Sequence, residues 1–250
     1  MFRDGKSKKI DEPRLYHCTV FESLCKILNT SYFRCSYCLE QSNFMDEYSE
    51  GAYAMVCFAD LQSKELGQHM RNFNSDSYIM MKKDWALRNI VSPVQYYFRD
   101  TIPAITMKVW VEYLLKQQNE WENGSLGNLL NNATNMMFAY MKQYKGSYFN
   151  RKTRTFSNEE RLFYLEREWR YVPLVENGEA YYLTKEEYLN ENVIKAKTAE
   201  LVERGCTLKF SLEDVIEIGI PKGMKSRIRK NIPNSISIKE IYNRSPKSRA

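Results

Sequence analysis

The chain has 250 residues and a net charge of +6, and it is rich in aromatic residues, with 18 Tyr and 12 Phe. Its length fits one large domain or two small ones and allows a sizeable core. Residues 1–13 are polar and lack the apolar centre of a signal peptide, and no apolar stretch approaches the roughly 18 residues of a membrane span. We therefore expect a cytoplasmic protein without a membrane span, with residues 1–13 as a flexible arm.

The first part of the chain is predicted to contain short strands and helices. Runs of aromatic and β-branched residues predict strands at 14–19, 32–38, 52–61, 77–81 and 93–98. Apolar residues at helical spacing predict helices at 21–29, 62–73 and 82–89. The polar segment 43–51 is predicted to be a loop.

The middle of the chain changes to a helical pattern. Two helices are predicted within 102–144, separated at Gly124 and Gly127. The basic, polar segment 146–158 is predicted to be a connector. We interpret 102–158 as a helical insertion together with this connector.

The last part of the chain returns to strand-like segments. These predicted strands lie at 162–172, 208–210, 215–220 and 236–242, with helices near 186–204 and from Pro221. Strands at both ends and a helical middle favour an α+β fold with a mostly antiparallel or split central sheet. We expect a single domain over 14–243, followed by a basic tail at 244–250.

Three charged residues at alternate positions, Glu166, Glu168 and Arg170, form the sharpest candidate site. On a strand they project from one face, with the two carboxylates about 7 Å apart. One carboxylate could hold a sugar hydroxyl or stabilise a cationic transition state, and the other could act as a base. An alternative stays open, because Ser157 and Glu160 match a helix capping box, and on a helix Glu166 and Arg170 would be an ordinary ion pair.

Other polar residues give weaker signals. His17 and Thr19 share one face of the first predicted strand, where a hydrogen-bonded structural histidine is the simpler interpretation. Asp60 ends a buried run and is predicted to cap the next helix. Cys35 and Cys38 form a C-x-x-C pair, but a zinc site needs a second pair and none is visible, so we predict no metal.

The positive charge is concentrated at the C-terminal end. Residues 222–250 contain nine Lys or Arg and one acidic residue. This segment is either a solvated surface with a polar tail or a site for nucleic acid. The basic residues of the candidate nucleic-acid site are Lys222, Lys225, Arg227, Arg229 and Lys230.

Five short motifs, taken in chain order, resemble the AbiGi family of bacterial abortive-infection proteins. They are YHCT at 16–19, AMVCFAD at 54–60, YIMMKKDW at 78–85, SPVQY at 92–96 and EREWR at 166–170. The resemblance implies a role in phage resistance, as one half of a two-gene toxin–antitoxin system, usually the antitoxin half. It also implies a cognate protein partner.

The first and last of these motifs are also similar in layout to ADP-ribosyltransferase-like proteins of the DarT type. This second resemblance implies an ADP-ribosyltransferase-like fold and NAD as substrate. Glu168 would stabilise an oxocarbenium-like state, Glu166 would activate the acceptor, and His17 would contact the ribose or the nicotinamide. The further residues that would line the NAD site are Thr19, Tyr78 and Arg170. Three functions therefore stay open: an NAD-dependent enzyme, a non-catalytic antitoxin and a nucleic-acid-binding protein.

Overall fold

A computed structural model describes most of the chain. The described residues are 14–43, 49–121, 133–150, 153–173, 181–230 and 232–241. The predicted arm at 1–13, the predicted tail at 244–250 and the predicted helix break at Gly124 and Gly127 lie outside them. The chain divides into two compact units, each described by itself: the first unit is Met1–Thr30, Phe58–Trp85 and Ser211–Ala250, and the second unit is Ser31–Cys57 and Ala86–Phe210.

The described chain contains both strands and helices. The strands are β1 (Arg14–Thr19), β2 (Tyr32–Arg34), β3 (Ser36–Ser42), β4 (Ser49–Leu61), β5 (Ser77–Met81), β6 (Ser92–Pro93), β7 (Gln95–Tyr97), β8 (Met141–Gln143), β9 (Gly146–Asn150), β10 (Thr155–Arg161), β11 (Glu168–Tyr171), β12 (Tyr182–Thr184), β13 (Thr207–Lys209), β14 (Val215–Pro221) and β15 (Ser237–Ile241). The helices are α1 (Phe21–Thr30), α2 (Ser63–Asn72), α3 (Lys83–Arg88), α4 (Ile102–Trp121), α5 (133–139), α6 (Lys185–Leu189), α7 (Glu191–Glu203) and α8 (Lys225–Arg229). Short 3-10 helices occur at Phe163–Glu166 and Leu212–Asp214. No helix within the described ranges is long and apolar enough to cross a membrane.

The first unit is built on a sheet in the strand order β15-β14-β5-β1-β4. Its pairings are antiparallel except for the parallel pair of β14 and β15. Tyr16 of β1 and Tyr78 of β5 pack edge to face on one side of this sheet, together with Leu66 and Met70 of α2. Leu66 and Met70 are one helical turn apart, so α2 presents one apolar stripe to this core.

The second unit holds shorter strands and the two longest described helices. Here β4 has β3 and β12 on its two edges, both antiparallel, while β11 pairs with β6, β13 with β2 and β9 with β10. Tyr97 of β7, Ala104 of α4 and Met141 of β8 share a core with residues of α5. The α+β class and the mostly antiparallel pairing predicted from the sequence are therefore confirmed, and the single domain over 14–243 stays a prediction.

Several predicted elements differ from the structure because strand partners are distant in sequence. The predicted strand at 32–38 is two strands, since β2 pairs with β13 and β3 pairs with β4, and the chain changes partner at Cys35. The polar segment 43–51 is in part a strand, because β4 begins at Ser49. The predicted helix at 186–204 is divided at Asn190, whose side chain accepts hydrogen bonds from the first backbone N–H groups of α7.

The helical pattern predicted as far as residue 144 ends at residue 139. Strand β8 follows α5 directly, and the predicted connector at 146–158 forms the antiparallel pair of β9 and β10. Phe149 and Phe156 occupy opposite positions on these strands, with ring centroids 5.4 Å apart. This aromatic pair stabilises the hairpin, which the many charged residues of the segment concealed.

The close packing of Gly219 on β14 gives a test of the first unit. A Cβ atom at Gly219 would overlap the ring of Tyr78, which is buried and donates a hydrogen bond to Glu217. We expect Gly219→Ala to lower the free energy of unfolding by about 1–3 kcal/mol, measured by urea denaturation. In the control Gly67→Ala, on the exposed side of α2, the nearest atom to a Cβ would be 3.6 Å away. This control should raise stability by about 0.5–1 kcal/mol. Equal stability of Gly219→Ala and wild type would contradict this packing.

Candidate functional site

The strand β11 carries two of the predicted site residues. Glu168 and Arg170 alternate with Trp169 and Tyr171, so the two charged side chains share one face, as predicted. Both are buried, with 7% of Glu168 and none of Arg170 exposed to solvent. The wider prediction of one extended run at 162–172 is only partly right, because β11 itself begins at Glu168.

Glu166 lies beside Glu168 and Arg170, although it is not part of strand β11. It ends the 3-10 helix Phe163–Glu166, and the next residue, Arg167, has a left-handed backbone with φ of 42°. This turn reverses the local alternation and buries Glu166 beside the strand. The helical alternative also fails, because Ser157 lies in β10 and caps no helix.

A buried ion cluster forms around these residues, and we define it as Glu40, Lys142, Glu166, Glu168 and Arg170. Lys142 bridges the two carboxylates, with its Nζ atom 2.8 Å from Glu166 Oε2 and 2.7 Å from Glu168 Oε2. Both oxygens of Glu168 accept hydrogen bonds from Arg170, at 2.8 Å from Nε and 3.0 Å from Nη2. Lys142 also lies over the ring of Phe163 at 4.8 Å.

Arg170 has an acceptor for every guanidinium nitrogen. In addition to Glu168, its Nη2 atom donates to Glu40 Oε1 at 2.7 Å, and its Nη1 atom donates to the carbonyl of Ala139 at 2.5 Å. Ala139 is the last residue of α5, where a cation is favoured by the helix dipole. The guanidinium therefore links β3, α5 and β11 within the second unit.

Tyrosine hydroxyls fix the backbone around the cluster. The hydroxyl of Tyr96 accepts a hydrogen bond from the backbone N–H of Glu168 at 2.9 Å. The hydroxyl of Tyr140 donates to the carbonyl of Arg170 and accepts from the N–H of Val172, both at 3.3 Å. These contacts hold β11 in place on either side of the charged face.

The cluster pushes the pKa values of its two central carboxyls apart. Burial alone would raise the pKa of Glu168, but the adjacent charges of Arg170 and Lys142 outweigh it and lower this pKa below its usual range. Burial also raises the pKa of Glu166, and the charge of Lys142 only partly offsets it because Lys142 is shared with Glu168. The second cation near Glu166 is Arg161, at 4.0 Å, and it also lies over the ring of Tyr148.

The predicted site residues of the first unit lie on both faces of its sheet. Tyr78 is directly opposite Cys18, so it shares a face with Tyr16 and Cys18, while His17 and Thr19 project from the other face. Thus the structure does not bring Tyr78 together with His17 and Thr19. The ring of His17 packs against Phe58 with centroids 5.5 Å apart. Because His17 and Glu168 belong to different units, an NAD site shared by them stays a prediction.

Asp60 does not have its predicted role. It lies within β4, where its Oδ2 atom pairs with Lys83 at 2.9 Å, and its Oδ1 atom is buried without a hydrogen-bond partner. The capping position of α2 is taken by Gln62, whose N–H donates to Glu65 at 2.7 Å. The strand continues past Asp60 because β1 pairs with it as far as Leu61.

The basic residues near the C-terminal end surround the short helix α8. Arg227 pairs with Glu22 at 3.1 Å and lies 4.9 Å above the ring of Phe21. Arg229 contacts the side chain of Asn234. The lysines of this group are exposed: Lys222, Lys225 and Lys230. Arg227 and Arg229 thus have structural contacts within the first unit, and nucleic-acid binding here stays a prediction.

Sequence reasoning missed Lys142 and Glu40. Lys142 lies within the region 102–144 that was predicted to be helical, whereas in the structure it lies between the buried residues Met141 and Gln143 on a strand. Glu40 follows the buried residue Leu39 on β3 with the same alternation. For Glu40, the alternation of Tyr37 and Leu39 was a signal available in the sequence. The short strand of Lys142 has no apolar alternation, and the contacts of both residues within the ion cluster depend on the tertiary fold.

Comparison with known proteins identifies similar chains. A family model described as "Putative abortive phage resistance protein AbiGi, antitoxin" matches residues 31–221. A protein of Lactococcus lactis subsp. cremoris, "Abortive phage resistance protein AbiGi", is 25% identical over 178 residues, which cover 64% of this chain and 68% of that protein. No solved structure matches the chain. The resemblance inferred from the five sequence motifs is confirmed.

The ion cluster predicts different costs for its two central carboxyls. Glu168→Gln leaves the buried charge of Arg170 without its paired carboxylate, and we expect it to lower the free energy of unfolding by roughly 3–5 kcal/mol. Glu166→Gln keeps an acceptor for Lys142 and removes a carboxylate that is costly to bury, so it should cost less than about 1 kcal/mol. Urea denaturation of both variants at pH 7 measures the difference. Equal costs would contradict the central position of Glu168.

The opposite pKa shifts also predict opposite pH dependence. The lowered pKa of Glu168 gives stability that is present above its unfolded pKa of about 4.3 and is lost as the pH falls through the folded pKa. The raised pKa of Glu166 gives stability that is present below the unfolded pKa and is lost as the pH rises through the folded pKa. The cost of Glu168→Gln should therefore shrink as the pH falls below about 4.3, whereas the cost of Glu166→Gln should grow as the pH falls from about 7 towards about 4.3. Parallel changes of the two costs would refute these assignments.

Proposed function

The chain belongs to the AbiGi family of abortive phage-resistance proteins, and on this premise we propose that it is an antitoxin that binds and neutralises a toxin protein. The observation that carries the proposal is the match of the antitoxin family over residues 31–221, which includes the whole ion cluster. Neutralisation by binding needs a stable surface and no reacting groups.

The state of the carboxylates supports this non-catalytic role. Both oxygens of Glu168 are taken by Arg170 and Lys142, and the side chain is buried. A catalytic carboxylate needs a lone pair directed at a substrate atom within about 2.6–3.2 Å. If a substrate displaced Lys142 or Arg170, the buried charges of the cluster would lose their partners, at a cost of several kcal/mol. The contacts of Glu168 therefore favour a structural role.

A second candidate function is transfer of ADP-ribose from NAD, or NAD hydrolysis, on an ADP-ribosyltransferase-like fold. The observation that favours it is the divergence of the pKa values of Glu166 and Glu168, because adjacent carboxyls with different pKa values are typical of acid and base pairs. In this candidate Glu168 stabilises the oxocarbenium-like state, Glu166 activates the acceptor and His17 contacts the nicotinamide ribose. Thr19, Tyr78 and Arg170 complete the proposed NAD site.

Growth of a bacterial host separates the two candidates. The protein encoded by the neighbouring gene should arrest growth when it is expressed alone, and co-expression of this chain should restore growth. The chain alone should be harmless and should leave cellular NAD unchanged. Glu166→Gln and His17→Ala should both retain neutralisation, because neither substitution removes the pairing of Glu168 with Arg170.

Two results together would contradict the antitoxin role. Growth arrest and NAD loss caused by this chain alone, and relieved by Glu166→Gln or His17→Ala, would favour the enzyme. Expression levels and melting temperatures of both variants serve as controls, so that loss of folded protein is not mistaken for loss of activity.

A further inference from the structure

The helix α4 in the second unit carries apolar side chains on two opposite faces. One face holds Ala104, Met107 and Val111, which pack into the core with Tyr97 and Met141. Their spacing of three and four residues forms a stripe along one side of the helix. The packing of these apolar side chains holds α4 against the rest of the second unit.

The opposite face is apolar as well, although it is exposed. It consists of residues with large exposed fractions, namely Ile102 at 75%, Ile105 at 48%, Val109 at 60%, Trp110 at 41% and Tyr113 at 49%. We define these five residues as the α4 stripe. At 100° per residue, the stripe lies on the side of the helix away from Ala104. An exposed helical surface is normally polar on this side.

The size and composition of the α4 stripe are typical of an interface. If each large side chain offers roughly 200 Å², the exposed fractions correspond to about 550 Å², near the upper end for the largest apolar patch of a monomer. Trp and Tyr are the residues most enriched in the energetic centres of protein interfaces. Trp110 and Tyr113 lie together, with ring centroids 6.3 Å apart.

We propose that the α4 stripe is the surface by which this chain docks on its toxin protein; this inference rests on the antitoxin function proposed above. The occupant is a folded protein whose own apolar surface covers Val109 and Trp110. At the edge of its apolar surface, this partner protein carries a carboxylate that pairs with Lys116. Lys116 is exposed and lies one helical turn beyond Tyr113. The charges along one flank of the stripe, Lys108 and Glu112, already pair with each other at 3.8 Å.

The area of the stripe argues against a second copy of this chain as the occupant. Two identical stripes packed together would bury about 550 Å² on each chain, whereas stable interfaces bury about 800 Å² on each partner. A different protein can extend its contact beyond the helix, for example to the exposed ring of Phe98. The antitoxin description of the family supplies the class of that protein.

A charge placed in the stripe tests the proposal. Val109→Asp should weaken binding of the purified full-length chain to the neighbouring gene's product by about 30-fold or more in titration calorimetry, and Trp110→Ala should have a similar effect. The matched control is Leu87→Asp on α3, because Leu87 is 61% exposed and Val109 is 60% exposed. This control should bind like wild type. Circular dichroism checks that all three variants keep the wild-type fold.

Each outcome has one meaning. Loss of binding in the stripe variants alone supports the proposal. Wild-type affinity in Val109→Asp and Trp110→Ala overturns it, while neutralisation by the wild-type chain leaves the antitoxin function standing. A dimer of this chain in light scattering that Val109→Asp converts to a monomer also overturns it, because the occupant is then a second copy. A wild-type chain that neither binds nor neutralises the toxin overturns both proposals.

Discussion

The second unit depends on the complete pairing of one buried guanidinium. Arg170 has no exposed surface, and a buried cation is tolerated only when its charge is compensated and its N–H groups are hydrogen-bonded. Glu168, Glu40 and the carbonyl of Ala139 provide this compensation from three separate elements. Lys142 then balances the remaining carboxylate charge. The same network therefore fixes the positions of β3, β8, β11 and α5, and removal of Glu168 leaves the buried charge of Arg170 with Glu40 as its remaining carboxylate.

The interior and the surface of the second unit therefore have different roles. The carboxylates that suggest chemistry in the sequence are used inside the protein to hold the strands together. The surface, by contrast, has the exposed apolar face of α4. A charged interior that fixes the scaffold and an apolar helix that meets a partner together suit a protein that works by binding.

Local signals in the sequence predicted the first unit better than the second. The bounds of β1 and β5 are as predicted because runs of six and five residues rich in strand-forming types follow the turn-forming residues Pro13 and Asp76. The common face of Glu168 and Arg170 follows from strand alternation, which needs no tertiary information. Glu166, however, reaches the cluster through a 3-10 turn, and Lys142 reaches it on a strand that forms only by pairing with β7. Such non-local pairings leave little trace in a single sequence.

The central claim is that the ion cluster supports the fold and performs no reaction. Its most direct test is neutralisation of the toxin by a chain in which the cluster is neutral, with Glu40→Gln, Lys142→Met, Glu166→Gln, Glu168→Met and Arg170→Met combined. Apolar replacement of a whole buried ion network is often neutral for stability or stabilising by about 1–4 kcal/mol. The account predicts that this variant folds and still restores growth. A folded variant that has lost neutralisation would contradict it.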